Sequence, residues 1–211
     1  MRQIVLPVLL VAANACLPVF AQSDADKQGE RRQALIEKHE GDFDYLLGDW
    51  EFTADNGDYG KLRGYWSAVR LSGGQILDEY RVVGPKDETY YVTTTIRAYN
   101  PGLDRWELIG MDGGGLQDFG TARRDGGEMR IEQHFGVSGP RPSFWKIRYH
   151  DIRADAFAWS ADRSLDDGKT WTKNHQVLEA RRIGPPRSLP AFTPPGRKAG
   201  AKSPGEESAP L

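Results

Sequence analysis

The sequence predicts an all-β fold, an antiparallel up-and-down barrel of roughly ten strands entered through a short N-terminal helix. Turn signals recur every roughly 8–15 residues from Trp50 onward, a spacing that suits a meander rather than βαβ units. The runs between them are rich in Tyr, Trp, Val, Thr and Ile. No helical pattern follows Leu47. A closed barrel is favoured because closure leaves no unpaired edge; a two-sheet sandwich is the rival arrangement for the same pattern.

Residues 1–21 read as a signal peptide. Arg2 supplies the positive charge, Ile4 to Ala13 an almost purely apolar stretch, and Val19-Phe20-Ala21 a cleavage site before Gln22. The apolar stretch is too short for a transmembrane anchor, so an exported protein, periplasmic or secreted, is expected. A rival reading makes Cys16 a lipidated cysteine after Ala13-Asn14-Ala15, with Asn14 poorly suited to that motif. Cys16 is the only cysteine, so a chain cut before Gln22 has none. Disulfides, thiol catalysis and cysteine-ligated metals are excluded with it.

Residues 22–42 form an N-terminal helical segment: Leu35 and Ile36 sit among Arg31, Arg32, Glu37 and Lys38, a look that extends from Lys27 to Leu47 with Gly41 as an interruption. It is expected to act as a lid. Residues 43–183 form the barrel. Its turns are expected at Asn56-Gly57, Ser72-Gly73-Gly74, Gly84-Pro85, Asn100-Pro101-Gly102, Asp112 to Gly115, Asp125 to Gly127, Gly139-Pro140 and Asp166 to Gly168, with a further reversal near Arg153 to Asp155. In Ser143 to His150, Trp145, Ile147 and Tyr149 share one face, and Lys146, Arg148 and His150 the other. Gly48 lets the chain turn sharply, and Trp50 then faces inward at the closed end with Phe52 behind it. Residues 184–211 hold seven prolines and little apolar content, the composition of a disordered tail.

Net charge is −2, and no run of Lys and Arg forms a stripe, which excludes nucleic acid as a partner. Nothing in the composition specifies an oligomeric state. The G-x-S-x-G elbow, the Walker loop and the dinucleotide fingerprint are all missing, so no catalytic residue is assigned and a binding protein is expected over an enzyme. His39, His134, His150 and His175 never pair at metal-ligand spacing, so no metal site is assigned either.

Three motifs occur in order: Phe43-Asp44-x-Leu46-x-Gly48-x-Trp50, then Asn100-Pro101-Gly102 followed by Trp106, then Ser164-x-Asp166-x-Gly168-Lys169-Thr170-Trp171. Together they resemble a bacterial family of exported domains of unknown function with calycin-like barrels, over about Phe43 to Arg182. More distantly, Leu47-Gly48-x-Trp50 resembles the opening of lipocalins and of nitrobindin-like haem barrels. The lipocalin likeness implies that an arginine of the last strand, Arg181 or Arg182, packs over Trp50. The nitrobindin likeness implies a haem ligand in the last strand, at His175; here Glu51-Phe52-Thr53-Ala54 stands where that family has alternating glycines. No cofactor is otherwise expected.

Ser164 to Trp171 also matches the Asp-box of sialidase-like propellers, but as one copy without the blade repeat. It reads as a stable hairpin in which Trp171 packs on the turn. Asp78 and Glu79 are adjacent in a strand and so face opposite ways; the inward one needs a partner such as Arg97 or Arg63. Six tryptophans and eight tyrosines suit a barrel that holds a small hydrophobic or amphipathic ligand. The residues singled out to line that site are Glu79, Tyr80, Arg97, Trp106 and His175. The alternatives are a barrel filled by its own rings and an envelope protein-interaction module working through Gly136 to Pro142 and the tail.

Overall fold

The computed structural model describes residues 19–189, with side chains from residue 24 onward. The expected leader lies almost wholly outside the described residues, as does most of the tail. A helix, α1, spans Val19–His39, and a single 3-10 turn spans Asp44–Leu46. Strands β1 (Gly48–Asn56), β2 (Gly60–Arg70), β3 (Ile76–Val83), β4 (Thr89–Asn100) and β5 (Arg105–Asp112) follow. The meander continues through β6 (Gly115–Asp125), β7 (Glu128–Phe135), β8 (Ser143–His150), β9 (Ala156–Ser164) and β10 (Thr172–Gly184), with a two-residue β11 at Arg187–Ser188. None of the described helices is long and apolar enough to cross a membrane.

Each strand from β1 to β10 pairs antiparallel with its sequence neighbour, and β1 also pairs with β10, so the sheet closes into a ten-stranded up-and-down barrel. All nine reversals fall where the turn residues put them. At two of them, Asp167 (φ 56°) and Gly168 (φ 85°) supply one left-handed turn, and Gly126 (φ 58°) the other. In the first, Ser164 Oγ donates to Asp166 (2.7 Å), Asp166 accepts from Thr170 N (2.9 Å) and Trp171 Nε1 donates to Gly168 O (2.9 Å). The single Asp-box is therefore a self-bonded hairpin between β9 and β10.

The helix ends at His39, ahead of Gly41, and its residues from 24 to 38 are exposed except for half-buried Leu35. It is not the lid. The barrel end is plugged instead by the irregular segment after it, where Phe43, Leu46 and Leu47 are buried. Trp50 lies beneath them, fully buried, its Nε1 donating to Leu46 O (2.8 Å) and its ring edge-on to Phe157 (4.8 Å).

Of the two arginines expected over Trp50, Arg182 takes the place. Its guanidinium lies 4.1 Å from the Trp50 ring centroid and donates to Leu47 O, Tyr45 O (3.1 Å) and Ala154 O (2.7 Å). Arg181 points outward to Glu51, because neighbours on a strand face opposite sides. Gly48 has φ 103°, and a Cβ there would sit 2.6 Å from the Arg182 guanidinium, so glycine makes the approach feasible. Past Gly184 the chain still docks: β11 pairs in parallel with Val69 and Arg70, and Arg187 bonds Asp49 and Ser67.

Replacing Trp50 by Ala is expected to cost on the order of 3–5 kcal/mol, the range for a large buried aromatic. Chemical denaturation checks it; a midpoint unchanged from wild type would place the ring outside the plug.

Candidate functional site

The barrel interior divides into two halves. Toward the plug, Trp50, Trp66, Trp106, Met129, Tyr149 and Phe157 are buried and packed on one another. Trp106 belongs to this closed half: its Nε1 donates to Asp42 (3.1 Å) and its ring meets Phe43 (5.0 Å). It lines no binding space. Toward the other end, inward-facing Tyr80, Tyr91, Gln133, Phe135, Trp159 and Gln176 are only half-buried. This half opens toward the turns between β1 and β2, β3 and β4, β5 and β6, β7 and β8, and β9 and β10.

A buried ion pair forms the floor between the halves. On β3 the inward carboxylate is Asp78, not Glu79; Glu79 faces out and pairs with Arg81 across the outer surface. Asp78 is 2 % exposed and Arg97 3 %, and their side chains are in direct contact. Trp66 Nε1 donates to the other Asp78 oxygen (2.7 Å), and the Arg97 guanidinium lies 5.4 Å from the Phe43 ring centroid. Burial pushes the Tyr149 phenol up to about 12, with Arg97 partly offsetting it. The Arg97 Nε proton has no hydrogen-bond partner among the described residues.

Above the floor the walls mix rings and polar groups. Tyr80 stacks on Phe52 (4.7 Å) and its hydroxyl accepts from Gln176 (3.4 Å), which in turn accepts from Asn56 (2.8 Å). Tyr91 accepts from Gln117 (3.3 Å). Burial raises both phenols above the ordinary tyrosine range, so both stay neutral donors at neutral pH. Sequence reasoning missed Asp118. It faces inward on β6 at 2 % exposure, and its Oδ1 has no hydrogen-bond partner among the described residues. Its carboxylate fills the place a side chain at Gly110 would take, since a Cβ there would lie 2.1 Å from Asp118 Oδ2. Desolvation raises the Asp118 pKa, opposed by Gln133 and by the Arg97 charge and reinforced by Asp112.

His175 lies at the rim, at a break in the β9–β10 register beside Asn174 (φ 46°). A Cβ on Gly57 would sit 2.6 Å from its Nδ1, and its Nε2 is 3.7 Å from Asp58. Both nitrogens thus face the β1–β2 turn, and Trp145 packs edge-on against the ring (5.4 Å). Desolvation and the Arg163 charge hold its pKa below the usual histidine value. This setting does not fit an axial haem ligand, which needs a ring nitrogen directed into the interior. Among the described residues no three His, Cys, Asp or Glu side chains cluster as a metal site. A depression of about 1030 Å³ lies along the outer face of β1, β2, β9 and β10 and is rimmed by Glu51, Arg63, Arg153 and Arg181. The polar floor and its walls belong to the barrel's inner face and not to this groove.

No family model and no curated protein matches the chain. Among solved structures, the crystal structure of Rv2717c from M. tuberculosis is similar at 14% identity, covering 71% of this chain and 97% of that one with a TM-score of 0.49. A structure of EF1p2_mFAP2b bound to DFHBI is similar at 17% identity, covering 66% and 94% with a TM-score of 0.29. The barrel assignment rests on the strand pairing of this chain.

Replacing Asp78 by Ala leaves Arg97 buried without its counter-charge and is expected to cost on the order of 3–5 kcal/mol. Adding Arg97→Met should recover most of that loss in a double-mutant cycle read by denaturation, and simple additivity would show that the two are not coupled. For Asp118, the folded pKa lies above the unfolded one, so the folded state holds the proton more tightly and stability falls as pH rises through the folded value. Asp118→Asn removes the charge that burial disfavours and is therefore expected to stabilise the protein at neutral pH, by about 1.4 kcal/mol for each pKa unit of the upward shift. The gain should shrink to nothing below the ordinary carboxylate range near pH ~4. A pH-independent difference between the two melting curves would contradict the assignment.

Proposed function

We propose that the protein binds a small, partly apolar molecule inside the half of the barrel away from Trp50. The observation that carries this reading is the lining of that half: part-exposed rings of Tyr80, Tyr91, Phe135 and Trp159 over a polar floor that retains an unpaired donor. Aromatic walls give contact area, and a few convergent polar groups orient what they enclose, the usual make-up of a ligand site. The tyrosines, glutamines and the Asp78–Arg97 pair supply no nucleophile–base pair, which favours binding over catalysis. The charged-then-apolar start of the sequence supports work outside the cytoplasm. The ordered motifs ending at Trp50, Trp106 and Trp171 support membership of the exported calycin-like family they resemble.

The test uses the full chain purified without detergent. Native mass spectrometry is expected to show a non-covalent adduct that is lost on denaturation. The neutral probe N-phenyl-1-naphthylamine should brighten on binding, and Gln133→Trp, which places bulk on an inward half-buried position, should weaken that binding by about tenfold, or ~1.4 kcal/mol. An adduct-free spectrum together with no probe uptake would mean that the interior is filled by its own side chains.

A further inference from the structure

Resting on that reading, we propose that Asp118 is the polar anchor of the site and that the ligand it selects carries an ammonium or a comparably strong hydrogen-bond donor beside an aromatic or aliphatic body. Arg97 is the inward-facing arginine at the floor, and it is already in contact with Asp78, which also accepts from Trp66. Asp118 then stands as a second inward carboxylate whose Oδ1 has no hydrogen-bond partner among the described residues, the side-chain donor acting on the carboxyl being the neutral amide of Gln133. Two carboxylates and one guanidinium leave this part of the interior with an excess of negative charge or with a proton that a ligand can replace.

A buried carboxylate oxygen without a partner is costly, and a donor brought in by a ligand recovers that cost as affinity. The position is built for it. Gly110 on the neighbouring strand vacates the space the carboxylate occupies. Gly120, two residues along β6, has the β7 backbone where a Cβ would stand, 2.4 Å from Glu132 O, so no side chain from that position crowds the carboxylate. The phenol of Tyr91 and the ring of Phe135 belong to the same half of the interior, and electron-rich faces favour a cation. An anionic head group meets the opposite situation: the charge of Arg97 is already balanced by Asp78, which leaves it only the Nε proton to offer, and Asp118 repels the anion.

The experiment compares three probes on one skeleton, 4-phenylbutylamine, 4-phenylbutanol and 4-phenylbutyrate, by titration calorimetry and by tryptophan fluorescence. Binding of the amine is expected to exceed that of the alcohol by roughly tenfold or more, the scale of a charge-assisted hydrogen bond, with the carboxylate weakest. Asp118→Asn keeps the shape and removes the charge, and it is expected to remain folded by its cooperative melt. In that variant the amine should fall to the level of the alcohol, while alcohol binding stays unchanged. If the alcohol binds wild type and the amine has no advantage, or keeps its advantage in Asp118→Asn, the anchor assignment is overturned and the barrel-binding reading survives. If none of the three binds wild type, the anchor assignment also falls, and native mass spectrometry decides separately whether the interior holds anything.

Discussion

Closure of the sheet depends on one strand meeting partners from opposite ends of the chain, and Arg182 secures that meeting. β1 pairs along one edge with β2, its hairpin neighbour, and along the other with β10. Backbone pairing alone leaves the mouth of this seam open where the chain enters at Tyr45 to Leu47. Arg182 spans it, donating to carbonyls on both sides of the gap and covering the Trp50 ring. The fork geometry of guanidinium serves several carbonyls from one position, which a lysine ammonium reaches less well. Trp50, Phe157, Phe43 and Leu46 then pack as one layer, and α1 is left outside the structural scheme.

The Asp78–Arg97 pair places two opposite charges inside the largely aromatic interior of the barrel. A buried ion pair is a poor source of stability compared with apolar packing, so its presence at the centre of a barrel asks for another role. Apolar rings fill the space on the Trp50 side, whereas beyond the pair buried Phe52, Val82 and Trp145 are interspersed with hydroxyls, amides and part-exposed rings. Thr93 and Thr95 continue the inward row of β4 from Arg97 toward the rim, narrow residues where the plug side has Tyr99.

The architecture was legible because its signals are local. Gly, Asn and Asp at the reversals supply left-handed backbone that other residues adopt at a cost, and strands such as Ser143 to His150 alternate cleanly. The site was legible only in outline. Strand β3 carries apolar residues on both faces, with Ile76 and Val82 in and Leu77 out, so its pattern did not say which of Asp78 and Glu79 turns inward. The same parity ambiguity separated Arg181 from Arg182. Irregular pairing at Gly110–Met111 and at Thr172–Gln176 shifts the alternation, and His175 consequently lies under a turn. Asp118 was invisible because its setting is made by Gly110, a residue of another strand that contributes only an empty place. Trp106 shows the converse: its residue type suits a ligand wall, and only the position of Asp42 and Phe43 reveals it as part of the plug.

The strand order also constrains the route by which such a protein comes into being. Every pairing from β1 through β10 except the last is a hairpin between sequence neighbours, whereas the seam joins residues as far apart as Leu47 and Arg182, 135 positions along the chain. Neighbouring hairpins form early and cheaply, but the seam must await the final strand. Until β10 joins, the meander carries a bare edge on β1, and Trp50 and Phe52 lack the cover that β9 and β10 bring. An intermediate of this kind is sticky and open to pairing with its neighbours. How much of the chain reaches the closed barrel accordingly depends on how soon the stretch containing Arg182 meets β1, in competition with pairing between chains.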